Sequence, residues 1–167
     1  MMSDKEFKFT VVTPDKCLFK DTPALAVGAW GSEGAFTALP GHVPFLTDLK
    51  PGVVWYRDLN GEQDSFFVGG GFVEVLPERV TILADSAEKL DEIDRDRAER
   101  AILRAKERLA AAKVSPKKPE KKVYLTPEEE AQARRDKVNI FLEEAALQRA
   151  LARARAAREK NRLPHKH

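Results

Sequence analysis

Residues 52–85 read GVVWYRDLNGEQDSFFVGGGFVEVLPERVTILAD, and the punctuation within them decides the fold. Asn60-Gly61 stands between VVWYRDL and DSFFVGG. Asn-Gly is the strongest short hairpin signal, because both residues tolerate the positive φ of a tight turn. Pro77-Glu78-Arg79 then divides FVEVL from VTILAD, marking a second hairpin. Upstream, FKFTVVT (7–13) and TPALAVGAW (22–30) are similarly short and β-rich, with a turn at Thr13-Pro14-Asp15. Strand-like runs that recur about every ten residues predict a small sandwich or barrel. About 80 residues must build this core, so it has to close as a double layer to bury enough apolar surface.

After Asp85 the period changes. DEIDRDRAERAILRAKERLAAAKV (91–114) contains no Pro or Gly, and Ala98, Ile102, Ala105, Leu109 and Ala112 recur at spacings of three and four. That is one apolar stripe on a charged helix, and its small residues imply close approach by a second helix. SPKKPEKKVYLT (115–126) breaks the pattern with two prolines and four lysines, as a solvated linker does. Thr126, Pro127 and Glu129 then supply an N-cap, a first-turn proline and a capping box for a helix over 127–160. The predicted class is α+β: a small N-terminal β-sandwich (1–86) followed by a C-terminal two-helix hairpin (87–167) whose second helix is extended.

The net charge of +2 hides an asymmetry. Residues 1–90 carry 8 Lys/Arg against 13 Asp/Glu, a net of −5, while residues 91–167 carry 21 against 14, a net of +7. A basic half of this kind suits an acidic partner, a nucleic acid or a lipid surface, or it is a solvated, charge-laced helix pair. No apolar run approaches the ~20 residues of a membrane span. The start, MMSDKEFKF, lacks the basic and apolar parts of a secretory signal, which predicts a cytosolic protein. The single cysteine, Cys17, has no internal disulfide partner, in keeping with a reducing compartment, and reads as a small buried hydrophobe.

No acid, base and nucleophile come together in the sequence, so no catalytic residue and no metal site are assigned. GSEGAFTALPGHVPFLTDLKPG (31–52) has four glycines and three prolines and reads as an irregular path. His42 within it lies near no Cys or second His, so it reads as a brace for loop backbone or for a partner chain. GGGF (69–72) lacks the Lys-Ser/Thr helix of a phosphate loop and reads as a bulge or close backbone approach. On the first helix Asp94, Arg97, Ala101 and Arg104 share a face, and on the second Arg149 and Arg153 do. Two arginines beside an acid can grip a phosphate and a ribose, or they are ordinary surface charge pairs.

Four stretches in this order and spacing resemble the epsilon subunit of bacterial F-type ATP synthase: VVTPD (11–15), residues 31–52, GGGFVEVLPERVTILAD (69–85) and IDRDRA (93–98). LQRALARARAA (147–157) resembles the end of the family's second helix, and about two dozen residues near 115–140 are extra. The resemblance implies a non-catalytic central-stalk subunit of a proton-translocating synthase. Its partners would be the gamma subunit, the c-ring and the alpha/beta hexamer, with no nucleic acid bound. It would sit peripherally at the cytoplasmic face of the bacterial inner membrane.

The resemblance also implies site residues. Ser32, Glu33, Gly34 and His42 match the loop at the foot of the rotor. The hairpin acts in the family as a brake on ATP hydrolysis, which gives Arg149, Arg153, Arg155 and Arg158 an inhibitory role. Some members bind ATP through Ile/Leu-Asp-x-x-Arg-Ala, complete here as Ile93, Asp94, Arg97 and Ala98, and further ATP contacts match Glu88, Arg104, Arg149 and Arg153. No cofactor is required on this reading, and ATP would be a regulatory ligand. The rival from another class is a basic helical nucleic-acid-binding module, for which stacking aromatics are scarce: Tyr124 and Phe141.

Overall fold

A computed structural model describes residues 6–114 and 126–159. Ten strands come first: β1 (Phe7–Val12), β2 (Cys17–Ala24), β3 (Ala26–Gly31), β4 (Gly34–Ala38), β5 (Phe45–Leu49), β6 (Gly52–Arg57), β7 (Gln63–Val68), β8 (Gly71–Leu76), β9 (Arg79–Ala84) and β10 (Ala87–Lys89). A short 3-10 turn (Leu90–Glu92) leads to helices α1 (Arg95–Lys113) and α2 (Pro127–Glu159). The expected linker with Tyr124 and its lysines, and the expected helix end at residue 160, lie outside the described residues. Contacts divide the chain into two units. One gathers the described residues up to Asp94 and from Ala152 onward; the other is Arg95–Leu151.

The strands run in the order β10-β7-β6-β3-β5-β8-β9-β1-β2, with β4 on the other edge of β3. The β3–β5 junction is a single pair, Gly31 with Leu49, and Lys50-Pro51 turns the chain there from one layer into the other. Every pairing is antiparallel except β1 with β9, which is parallel from Lys8–Arg79 to Val12–Leu83. The layers meet face to face. Phe9 on β1 lies 5.5 Å from the Tyr56 ring and 6.0 Å from the Phe66 ring, both on the opposite layer. Alternation along β1 (Phe7, Phe9 and Val11 buried) and β8 (Val73 and Val75 buried) is what the two-residue pleat demands of a sheet with one inward face.

Both predicted hairpins form. The β8–β9 turn is Pro77-Glu78, closed by the Leu76–Arg79 pair. The β6–β7 connection holds five residues (58–62) between the Arg57–Gln63 pair rather than two, and the Asp58 carboxylate organises it by accepting the backbone N–H groups of Asn60 and Glu62 at 2.9 and 2.8 Å. Gly61 takes φ +81 there. At GGGF, Gly71 has φ +126 and lies so close to β9 that a Cβ would meet the Leu83 carbonyl oxygen at 2.1 Å. The triple glycine is a close backbone approach.

Four expectations need correction. Residues 31–52 are not wholly irregular, since β4 and β5 lie inside them. Five residues suffice for a strand, and Pro40, Gly41 and Pro44 are confined to the connection between the two. The sheet runs past residue 86, because β10 pairs Ala87–Lys89 with Val68–Phe66. The first helix starts at Arg95 rather than at 91, because Ile93 stays extended (φ −72, ψ 116) and buries its side chain. Cys17 is exposed, standing at the start of the edge strand β2.

In the helical unit the alanine stripe appears as expected. Ala98 and Ala105 are buried and Ile102, Leu109 and Ala112 half-buried. Lys113 at the end of α1 bridges Glu144 in the middle of α2 at 3.1 Å. The fully buried residues of this unit, Ala98 and Ala105 on α1 and Ala150 on α2, lie before Lys113 and after Glu144, so the helices run antiparallel. The first half of α2 therefore has no α1 residue at its own level, and Val138, Phe141 and Leu142 on it are 55%, 69% and 55% exposed.

Candidate functional site

The second half of β7, from Phe66 to Val68, is buried on both faces. The pleat sends Phe66 inward to the sandwich core and Phe67 outward, yet both are almost inaccessible to solvent. Phe67 is covered by the last turns of α2. Ala156 and Ala157 meet it together with Leu90 and Ile93, and Val53 and Ala152 pack around the edge. Residues 152, 156 and 157 are all alanine, so the helix backbone comes close to the sheet without displacing the ring. The extended Ile93 joins this cluster, which explains why α1 cannot begin earlier.

A polar contact borders the apolar one. The Arg153 Nε–H donates to the Glu88 carboxylate on β10, forming an ion pair. The same guanidinium lies over the Phe67 ring, its carbon 5.2 Å from the centroid, where a cation is attracted to the negative ring face. Glu88 is opposite Phe67 in the β10–β7 register, so one rung of the sheet presents both partners. Cross-strand pairing was not legible from Glu88 alone.

Of the eight candidate nucleotide contacts, the sheet unit brings together Glu88, Ile93 and Arg153. Asp94 immediately precedes α1 and is exposed. Arg97, Arg104 and Arg149 belong to the helical unit and are exposed there, whereas Ala98 is 1% exposed. The Ile-Asp-x-x-Arg-Ala motif thus has its two apolar members packed and its two charged members at the surface. Among the inhibitory candidates, Arg153 is held by Glu88, while Arg149, Arg155 and Arg158 are exposed.

The four interface candidates fall into two places. Ser32 and Glu33 form the tip between β3 and β4, and Gly34 takes φ +139 at its end. This tip is tied to the far end of β5, where Ser32 N–H donates to the Asp48 carbonyl at 3.0 Å and Lys50 Nζ donates to the Ser32 carbonyl at 2.9 Å. His42 lies toward the opposite end of β5. Its Nδ1 donates to the Val43 carbonyl at 2.8 Å, and its ring is 5.2 Å from that of Phe45. Gly41 beside it donates to the Pro77 carbonyl at 2.8 Å, tying this loop to the β8–β9 turn. His42 braces loop backbone, as its sequence context implied.

The comparisons with known proteins agree with this architecture. The family model for the ATP synthase delta/epsilon chain beta-sandwich domain matches residues 6–90, through the end of β10. The chain is 41% identical over 152 residues to the ATP synthase epsilon chain of Nitratidesulfovibrio vulgaris (strain DP4), covering 91% of this chain and 96% of that one. It is 48% identical over 99 residues to the ATP synthase epsilon chain of Desulfatibacillum aliphaticivorans, covering 59% and 70%. A chain of the Euglena gracilis mitochondrial ATP synthase structure shares the fold at a TM-score of 0.65 and 22% identity, covering 89% of this chain and 79% of its own.

Proposed function

The chain belongs to the epsilon-chain family of F-type ATP synthase, and on that premise we propose that it is a non-catalytic rotor subunit whose second helix acts as a releasable brake. Family membership overturns the reading as a nucleic-acid-binding module unrelated to the synthase. On our reading the sandwich holds the gamma subunit and the c-ring through the Ser32–Gly34 tip and the His42 loop. Among the described residues no helix is long and apolar enough to cross a membrane. On our reading the chain sits peripherally at the cytoplasmic face and reaches it through the complex.

The observation that carries the brake is the seat of α2 on Phe67. Alanine methyls supply the helix side of the contact, each worth about 0.8 kcal/mol when buried. A seat made of such methyls and one partly exposed ion pair is worth only a few kcal/mol, within what a binding partner can offset. Releasing it frees Arg153 from Glu88 and lets it join the exposed Arg149, Arg155 and Arg158 in meeting acidic segments of the alpha/beta hexamer. ATP fits the same scheme as a ligand of the seated state, gathered by Asp94, Arg97 and the other motif residues.

Two substitution sets test this in opposite directions on the assembled synthase. Ala156→Asp places a carboxylate against Phe67, unseats the helix and is expected to lower ATP hydrolysis. Alanine at all four arginines removes the charge that engages the hexamer and is expected to raise hydrolysis. Unchanged hydrolysis in both, at low and moderate salt, refutes the brake.

A further inference from the structure

The outer face of β3, β6 and β7 carries a second feature beside the seat of α2, a half-open groove of about 520 Å³. Trp30, Trp55, Val53, Leu90, Ala156 and Arg155 form its walls. The pleat places the two indoles together. Gly28 pairs with Trp55 across β3–β6, and Trp30 follows Gly28 by two residues, so all three share the outward face. Gly28 has no side chain because the indole occupies that space; a Cβ would meet the Trp55 ring at 2.2 Å. Trp55 therefore lies along the sheet as a floor, and Trp30, 59% exposed, stands as a wall.

Charge in the groove is one-sided. Arg155 is the cation in the lining, which includes no acid. Among the described residues Arg155 makes no ion pair, whereas Arg153, two positions earlier, is held by Glu88. A neutral occupant would cover a guanidinium and leave it without a counter-charge, which is costly. A cation would be repelled. We infer that the groove binds a small planar aromatic anion, its rings against Trp55 and its acid group on the Arg155 fork. The volume lies within the range of ligand pockets, and an aromatic floor with one convergent polar group is their usual chemistry. A guanidinium binds sulfonate, carboxylate or phosphate oxygens through two parallel N–H donors, which fixes the orientation of the ring. This site uses neither Asp94 nor Arg97, but Ala152, Arg155 and Ala156 complete it only while α2 is seated on Phe67.

The chain has two tryptophans, both in the groove, so intrinsic fluorescence reports on this site. The full-length chain is titrated with anilinonaphthalene sulfonate and with phenyl naphthylamine, which has the same rings and no acid group. One saturable sulfonate site is expected, with energy transfer from tryptophan and affinity about tenfold above that of the neutral amine. Arg155→Gln is expected to abolish this preference and Arg155→Lys to reduce it, since lysine keeps the charge but not the fork. Trp30→Ala is expected to weaken both probes. Arg158→Gln serves as the control for overall charge. Equal sulfonate affinity in wild type and Arg155→Gln overturns the inference, as does an equal loss in Arg158→Gln or binding that never saturates.

Discussion

Replacing Arg153 by methionine and Glu88 by glutamine, singly and together, isolates the polar contact that holds the end of α2 on β7. Methionine keeps an apolar stem against Phe67 while removing both the ion pair and the cation over the ring. The two charged side chains are 35% and 25% exposed, so the pair is neither a surface bridge nor a buried one. Exposed pairs contribute about 0–1 kcal/mol, and removing one partner of a buried pair costs about 3–5 kcal/mol. The intermediate exposure puts the pair near 1.5 kcal/mol. The ring contact adds about 0.5–1 kcal/mol. Arg153→Met is then expected to cost about 2 kcal/mol and Glu88→Gln about 1 kcal/mol, with a coupling near 1 kcal/mol in the double-mutant cycle. Hydrogen exchange at the amides of residues 154–157 reads the free energy of local opening directly. Raising the salt from 0.05 to 0.5 M should shrink the coupling only in part, because a half-buried pair is incompletely screened. A coupling below about 0.3 kcal/mol, with all variants folded, refutes the assignment of this pair as the fastening.

Three more outcomes are expected. Calorimetry with millimolar ATP should give heat from the wild-type chain and little from Arg97→Ala; equal heats, or none from the wild type, reduce the motif to surface charge pairing. Glu129 caps α2: Thr126 N–H donates to its carboxylate at 2.7 Å, and its own N–H donates to Thr126 Oγ1 at 3.3 Å. The backbone bond from Thr126 chiefly, then its side chain, lowers the Glu129 pKa below the ordinary 4.5. A depressed carboxyl stabilises the helix end above its unfolded pKa and loses that contribution as pH falls through the folded value, so circular dichroism should show helix loss below about pH 4.5 that Glu129→Gln lacks. Gly71→Ala forces a Cβ toward the Leu83 carbonyl at φ +126, and denaturant unfolding should show a loss of at least about 1–3 kcal/mol.

The sequence was most informative where one residue type controls the backbone. Asn60-Gly61, Pro77-Glu78 and the triple glycine located two turns and a close approach, and the three-four spacing of Ala98 to Ala112 located the stripe of α1. It was least informative where burial on a second face overrides pattern. Phe66 and Phe67 are adjacent, so alternation gives one of them to solvent, and only the return of α2 explains why neither is exposed. The start of α1 failed for the same reason: no Pro or Gly interrupts 91–114, but the pocket beside Phe67 holds Ile93 extended. β4 and β5 were hidden by the glycines and prolines between them. Of the candidate residues, the pairing of Glu88 with Arg153 required a contact 65 positions apart, which no local spacing encodes. The groove gave no motif, since Trp30, Trp55 and Arg155 come from three separate elements.

The parallel pairing of β1 with β9 bears on how the chain assembles as it leaves the ribosome. Phe7, Phe9 and Val11 belong to the first strand of the sheet in chain order, and their partner strand ends at Ala84. A two-stranded ribbon of β1 and β2 is marginal in water, so these side chains stay without their core until most of the sheet has been synthesised. At about 5–20 residues per second that wait lasts several seconds, during which an apolar first strand is open to wrong partners. The residues around the strand carry no net charge, with Asp4, Glu6, Asp15 and Asp21 against Lys5, Lys8, Lys16 and Lys20, so a negative charge that opposes self-association builds only as residues 31–84 emerge. When the sheet does close, the helical half is still being translated, and the sandwich must hold itself together for a time with Phe67 bare.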